Sequence, residues 1–364
     1  MLGGGYVLRS IVGLAIVGLL GGCAAGATVV PPPATPAVPA DASAAIATPS
    51  PATPGASMAL AAPTATATRP PLRTPKPMPT IGVPADDGAR VTWVQAVDTR
   101  TRNLTIDSPA VGSVQVQLLL PSRFDAMPST RWPVLYLLTG YGGSYSDWGV
   151  NTDVAALTAP TDLLVVMPDG GYQGWFSDWW NGGSGGPPKW ETFHLVELRQ
   201  LLERNWHAGD KRAIAGLSMG GYGAMEYAER QPGTFAAAAS YSGVLDPLGG
   251  QANFSPPQPN DIWGDPVAQA DVWKAHDPTD NAAALKGTAL YVAYGNGQTG
   301  PLDPSKSPDL EAWIATENET FLHQLAALKI PVTVDAYGNG THDWPYWQRD
   351  LHRSLPFILK ALSG

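Results

Sequence analysis

Ser218 stands in Gly216-Leu217-Ser218-Met219-Gly220, between an apolar run (Ala213-Ile214-Ala215) and a helix-forming series, Ala224 to Arg230, that ends before Pro232-Gly233. That order reads as strand, sharp turn, helix. A serine at the tip of such a turn is held in a strained backbone conformation that lifts Oγ clear of the chain. The flanking glycines let strand and helix approach without a side-chain collision. The helix that follows aims its free N–H groups at the place where negative charge would develop. The chemistry this pattern suits is nucleophilic attack on an acyl carbonyl.

A hydroxyl is a poor nucleophile until a base takes its proton. In a strand–turn–helix site of this kind the partners follow in the order serine, acid, histidine. Of the six histidines, His207, His276, His323 and His352 lie in helical or polar contexts and read as surface residues. His194 precedes the serine. His342 follows the last strand in a glycine-rich loop, Gly338-Asn339-Gly340-Thr341-His342-Asp343, with Pro345 in the first turn of the next helix. That placement sets an imidazole over the C-terminal sheet edge. The acid must fix the imidazole tautomer and stabilise the imidazolium. Asp303, Glu311, Glu317 and Glu319 all lie in the right interval, and spacing does not choose among them. The Met219 N–H, directly after the nucleophile, should be one oxyanion donor, and the Tyr141 N–H, in the loop after Leu138, the second.

Other chemistries find little support. There is no His-Glu-x-x-His and no clustered His/Asp pattern at metal-ligand spacing, so no metal is expected. No phosphate loop or dinucleotide fingerprint is present, and no cofactor is expected. The tryptophans in loops beside the site, Trp148, Trp179, Trp180, Trp263 and Trp344, are candidates for the wall of an apolar or sugar-binding cleft, with a place in the core the alternative for each.

The elements that must position these groups are legible as periodicity. Residues 91–97 and 113–119 alternate like half-buried strands and suggest an antiparallel start to a sheet. Residues 133–138 and 162–167 are continuous apolar runs of strand length, as expected of strands covered on both faces, 235–242 is another apolar strand, and 288–294 and 331–336 read as the last strands. Helical spacing occupies residues 190–202, 310–328 and 344–362, with a short helix near 152–157. Strands alternating with helices predict an α/β fold, a mostly parallel central sheet with helices on both faces. Residues 245–280 are irregular and too long for an ordinary connection, which suits a binding insertion.

The N-terminus differs in kind. Arg9 and the short apolar run at 11–20 read as an export signal, residues 1–22. Leu20-Gly21-Gly22-Cys23 is the pattern of a lipidated cysteine. Cys23 is the only cysteine of the 364 residues, so no internal disulfide can form. Residues 23–90 are rich in Ala, Pro and Thr, too poor in large apolar groups to offset ordering entropy, and read as a disordered tether. The body, 91–364, is then a single catalytic domain. Net charge is −9, and residues 1–90 contribute +2, leaving the body at −11. An acidic body with no basic stripe argues against nucleic acid as a partner. The expected protein is an exported monomer, anchored by lipid on the outer face of a bacterial cell membrane or secreted.

Several motifs together resemble the antigen 85 mycolyltransferase and secreted esterase family of the α/β-hydrolases: Tyr136-Leu137-Leu138-x-Gly140, Ser177-Asp178-Trp179, Lys189-Trp190-Glu191-Thr192-Phe193, Gly216-Leu217-Ser218-Met219, Leu245-Asp246-Pro247, Gly295-Asn296-Gly297 and Gly340-Thr341-His342-x-Trp344. The resemblance spans about residues 91–362. It implies an α/β-hydrolase fold, an acyl-ester substrate and a Ser-Glu-His triad whose glutamate lies two residues before a phenylalanine, here Glu319 before Phe321, with Glu317 as the fallback. It also implies that Trp344 lines the cleft. The resemblance leaves three activities in play: ester hydrolysis, acyl transfer to a sugar or glycerol hydroxyl, and non-catalytic binding of matrix proteins. Mycolyltransferases carry an aspartate and an arginine where this chain has Thr139 and Gly142. Losing both polar partners of a sugar should cost several kcal/mol of recognition, which favours hydrolysis.

Overall fold

The computed structural model describes residues 81–182, 188–249 and 262–364. The export signal, Cys23 and nearly all of the tether lie outside the described residues, as does the centre of the insertion at 245–280. All described residues belong to one compact unit, Arg73–Gly364.

Nine strands form one sheet: β1 (Arg90–Ala96), β2 (Thr101–Ser108), β3 (Gly112–Leu119), β4 (Trp132–Leu138), β5 (Leu164–Pro168), β6 (Ala208–Leu217), β7 (Ala237–Tyr241), β8 (Ala289–Tyr294) and β9 (Val332–Ala336), in the order β1-β2-β3-β5-β4-β6-β7-β8-β9. The first three are antiparallel, as the alternation at their start implied, and β3 meets β5 antiparallel. From β5 through β9 every neighbouring pair is parallel. This is the α/β-hydrolase type of sheet.

Continuous apolar strands in the middle of the sheet serve two cores at once, because successive side chains point to opposite faces. On β4, Val134, Tyr136 and Leu138 enter one core while Leu135 and Leu137 enter the other. Over the first face pack α5 (Met219–Arg230), α7 (Glu311–Ala327) and the helical stretch from Trp190 to Asn205. The second face is covered by α8 (Trp344–Ser363), whose Trp347, Leu351, Leu355, Ile358 and Leu362 form one apolar stripe. Burying each such side chain contributes about 1.5–3 kcal/mol. Shorter helices are α1 (Asp147–Asn151) and α2 (Val154–Thr158) after β4, and α6 (Ala270–Ala275) in the insertion.

The amphipathic stretch after residue 190 is not a uniform helix. It runs as α3 (Trp190–Thr192), a π-helical segment Phe193–Leu198, and α4 (Arg199–Asn205). The wide segment buries two polar groups. His194 sits between the Tyr227 hydroxyl and the Asp169 carbonyl, each at 2.8 Å, and burial lowers its pKa to about 4. Glu197 accepts hydrogen bonds from the Ser108 hydroxyl and the Ala110 N–H, and burial pushes it to about 7.

Two expectations change here. The segment just ahead of residue 91 is part of the body: Ala85 and Ala89 are buried, and Val83 exchanges hydrogen bonds of 2.7 and 2.9 Å with Asn205. His276, expected at the surface, is buried, with Nδ1 2.6 Å from the Glu226 carboxylate and its ring stacked on Trp263. Trp263, from the same stretch, covers its ring.

Candidate active site

The C-terminal ends of β4, β6, β7, β8 and β9 come out along one edge of the sheet, where open α/β sheets bind ligands. Ser218 is at the tip of the turn from β6 into α5, with φ 52° and ψ −121°. That left-handed φ is uncommon for a residue with a Cβ and costs of order 1–3 kcal/mol unless its surroundings enforce it. They do so by close packing. A Cβ on Gly216 would lie 2.2 Å from the Gly220 carbonyl oxygen, and one on Gly220 would lie 2.4 Å from that of Leu138. The Ser218 N–H is held by the Tyr241 carbonyl at 2.9 Å.

His342 reaches the serine from the loop between β9 and α8. Its Nε2 lies 2.8 Å from Ser218 Oγ. Asp343 caps α8 by accepting the Trp344 N–H at 2.8 Å, with Pro345 in the first turn. The His342 N–H donates to the Asp309 carboxylate, 3.0 Å to Oδ2, and the same carboxylate accepts the Glu311 N–H at 3.1 Å. The Trp347 ring stands edge-on to the imidazole, 4.9 Å away at 87°.

The carboxylate on His342 is that of Glu311, with Oε2 2.6 Å from Nδ1. Glu319, the position indicated by the resemblance, is exposed two turns further along the same helix. Glu317 is buried but faces another way, accepting the Asp246 N–H at 2.8 Å. The reason is helix geometry. Eight residues at 1.5 Å each place Glu319 about 12 Å from Glu311 along the axis of α7. Glu311 is fully buried, and its other oxygen accepts the Ser242 hydroxyl at 2.7 Å and the Gly295 N–H at 2.9 Å.

Met219 N–H belongs to the first turn of α5, where backbone N–H groups have no partner within the helix. The loop carrying Tyr141 is brought to the serine by Gly140. A Cβ there would meet Leu217 Cδ1 at 2.7 Å and Ser218 Cβ at 3.4 Å. Asp147 ties this loop together, accepting the Ser144 N–H at 2.9 Å, the Ser144 hydroxyl at 2.7 Å and, more weakly, the Thr139 hydroxyl at 3.4 Å.

A cleft of about 550 Å³ opens over Ser218 and His342, with Met219 and Tyr141 in its wall. Its apolar lining includes Trp175, Trp313, Trp344 and Trp347 with Leu310 and Ile314, and among the described residues no lysine or arginine lines it. Trp344 lies in this lining. Trp148 is not a wall residue. It is buried behind Trp344, edge-on at 5.5 Å, with its indole N–H on the Leu138 carbonyl. Trp179 packs against the core and donates to the Gly174 carbonyl at 3.0 Å, and Trp263 is fully buried. The wall residues that sequence reasoning missed carried a signal. Trp347 follows Trp344 by three residues, and Leu310, Trp313 and Ile314 share one helical face. Trp175 carried none, because its φ of 49° could not be foreseen.

The Esterase family model matches residues 110–358. The chain is 33% identical to diacylglycerol acyltransferase/mycolyltransferase Ag85B of Mycolicibacterium smegmatis over 250 residues, 63% of this chain and 77% of that protein. It is 32% identical to Ag85A of Mycobacterium tuberculosis over 286 residues, 72% of this chain and 81% of that one. An esterase of M. tuberculosis is 32% identical over 64% of this chain and 52% of its own length. Among solved structures, M. tuberculosis MPT51 superposes with a TM-score of 0.61 at 26% identity, covering 73% of this chain and all of that one. An S-formylglutathione hydrolase of Agrobacterium tumefaciens, 16% identical over 75% of this chain and 99% of its own, shares the fold at a TM-score of 0.61. The chain belongs to the antigen 85 and esterase family of α/β-hydrolases, and is an acyl-ester hydrolase or acyltransferase.

Proposed function

We propose that this protein is a serine esterase working through an acyl-enzyme, with Ser218 as nucleophile, His342 as general base and then acid, and Glu311 holding the imidazole. The observation that carries the reading is the unbroken line Ser218 Oγ–His342 Nε2 at 2.8 Å and His342 Nδ1–Glu311 Oε2 at 2.6 Å. Glu311 fixes the tautomer with the lone pair of Nε2 facing the serine. As Oγ attacks an ester carbonyl, its proton passes to Nε2, and the oxyanion is met by the N–H groups of Met219 and Tyr141. His342 then protonates the departing alcohol. Water, activated by the same histidine, releases the acid and returns Ser218 to its resting state.

Hydrolysis is favoured over transfer by the acceptor side of the cleft. Thr139 is buried with its hydroxyl toward Asp147, and Gly142 has no side chain, so neither supplies the polar pair that would hold a sugar. The competing reading, acyl transfer to a sugar or glycerol hydroxyl, draws support from the aromatic cleft, which can exclude water, and from the acyltransferase names of its relatives Ag85A and Ag85B. Binding of matrix proteins without catalysis is disfavoured by the intact serine–histidine pair. The purified enzyme should react with a fluorophosphonate and Ser218→Ala should not. An inert wild type would discard the catalytic reading. With an acyl donor and trehalose present, free acid should dominate, and a majority of acyl-trehalose would replace hydrolysis by transfer.

The reading extends to the cell surface: export, lipidation at Cys23, a tether ending near residue 81, and a monomeric body held off the membrane. It rests on the sequence pattern at residues 1–23. No helix among the described residues is long and apolar enough to cross a membrane. Detergent partitioning of the full-length protein with a Cys23→Ser control tests the anchor, and equal release of both forms would remove it.

A further inference from the structure

We propose that Ser242 is a positioning residue for the reaction, setting the place of Glu311 relative to Ser218; the inference rests on the reading of the site just given. Ser242 directly follows β7. It is fully buried and has a φ of 51°, the same left-handed region that Ser218 occupies at the end of the neighbouring strand. A non-glycine residue in that region is strained, and such strain persists where the surrounding structure enforces it. Glycine would remove the penalty, so the side chain at this position has a use that offsets it.

Its contacts show the use. The hydroxyl donates to Glu311 Oε1 at 2.7 Å and accepts the Trp347 indole N–H at 3.3 Å. The Ser242 N–H is held by the Ala293 carbonyl of β8 at 2.8 Å. One residue earlier, the Tyr241 carbonyl accepts the Ser218 N–H at 2.9 Å. Two adjacent residues at the tip of β7 therefore hold both ends of the catalytic line, the nucleophile by its backbone and the acid by a side chain. The tip is itself pressed onto the first turn of α5. A Cβ on Gly221 would lie 2.9 Å from Gly243 Cα, and one on Gly243 would lie 2.8 Å from the Gly221 carbonyl carbon. The tip has little room to drift relative to the elbow. Glu311 enters on another helix after a long excursion of chain, and it needs a fixed point on the sheet to meet His342 correctly. Ser242 supplies that point, and Trp347, which touches both the Ser242 hydroxyl and the His342 ring, braces it.

The test compares Ser242→Gly and Ser242→Ala in the purified enzyme with a p-nitrophenyl ester. Both lose the hydroxyl, but only glycine suits the backbone. Both should lower kcat at least about tenfold with KM within about twofold, while Ser242→Gly melts higher than Ser242→Ala. Activity should thus follow the hydroxyl and stability the backbone. In a Glu311→Gln background the further change to glycine should cost less than about twofold, because the carboxylate it positions is already gone. Wild-type kcat in Ser242→Gly would overturn the proposal. So would an equal loss from Ser242→Gly with and without Glu311→Gln, which would show that it acts by another route. Fluorophosphonate labelling of the wild type is the control: if the wild type is inert, it is the esterase reading that fails.

Discussion

At the scale of single residues the outcome turns on which carboxylate meets His342. Glu311 is buried and paired, and its neutral amide analogue would offer the imidazole an N–H or a weaker acceptor in place of a charge. Glu311→Gln should therefore lower kcat about 100- to 10,000-fold with KM little changed. Glu319→Gln, at an exposed position on the same helix, should stay within about twofold of the wild type. Steady-state kinetics on the two variants side by side decide the assignment, and a larger loss at Glu319 would reverse it. The two serines with left-handed backbones, Ser218 and Ser242, belong to the same logic, since both keep a hydroxyl where glycine would be easier.

Elements act as carriers of these groups. The first turn of α7 faces two ways: Glu311 turns to the sheet edge, while Leu310, Trp313 and Ile314 turn to the cleft. The loop between β4 and α1 that carries Tyr141 is held by Asp147, which accepts from both the backbone and the hydroxyl of Ser144. Asp147→Ala should free this loop and reduce kcat about 10- to 100-fold, short of deleting an oxyanion donor outright, with the thermal midpoint changing by only a few degrees. Unchanged kcat in that variant would mean the loop holds its shape by other contacts. The turn from β9 into α8 is set by Asp343 and Pro345, which bring His342 to the serine with the helix already started.

Over the whole molecule, buried carboxyl groups make stability depend on pH. Burial raises Glu317 to about 8 and Asp277 to about 7, and pushes Glu229 well above its ordinary range. In each the folded state holds its proton more tightly than the unfolded chain does. For Glu317 and Asp277 the stability contributed is fully present below the ordinary carboxylate range, declines as pH rises beyond it, and is lost above about 8; Glu229 acts in the same direction. The wild type should need less urea to unfold at pH 8.5 than at pH 5.5. Glu317→Gln keeps an acceptor for the Asp246 N–H but cannot ionise, so it should flatten that difference. An unchanged pH dependence in the variant would locate the effect elsewhere.

Much of this was legible in the chain. Apolar runs of strand length predicted the buried strands β4 to β8, and alternation predicted the antiparallel start. The glycine-flanked Ser218 and the loop holding His342 were identifiable because each is defined by local geometry: a tight turn, a helix cap, a position after a strand. Tertiary structure alone decided which of four carboxylates faces the imidazole, which tryptophans wall the cleft, and that Ser242 meets Glu311 across 69 positions of chain. Local periodicity determines which residues leave the solvent together. The rotation and reach of one helix against another sheet edge depend on packing between distant segments, and a glutamate at the wrong turn of α7 carries the same local signature as the right one.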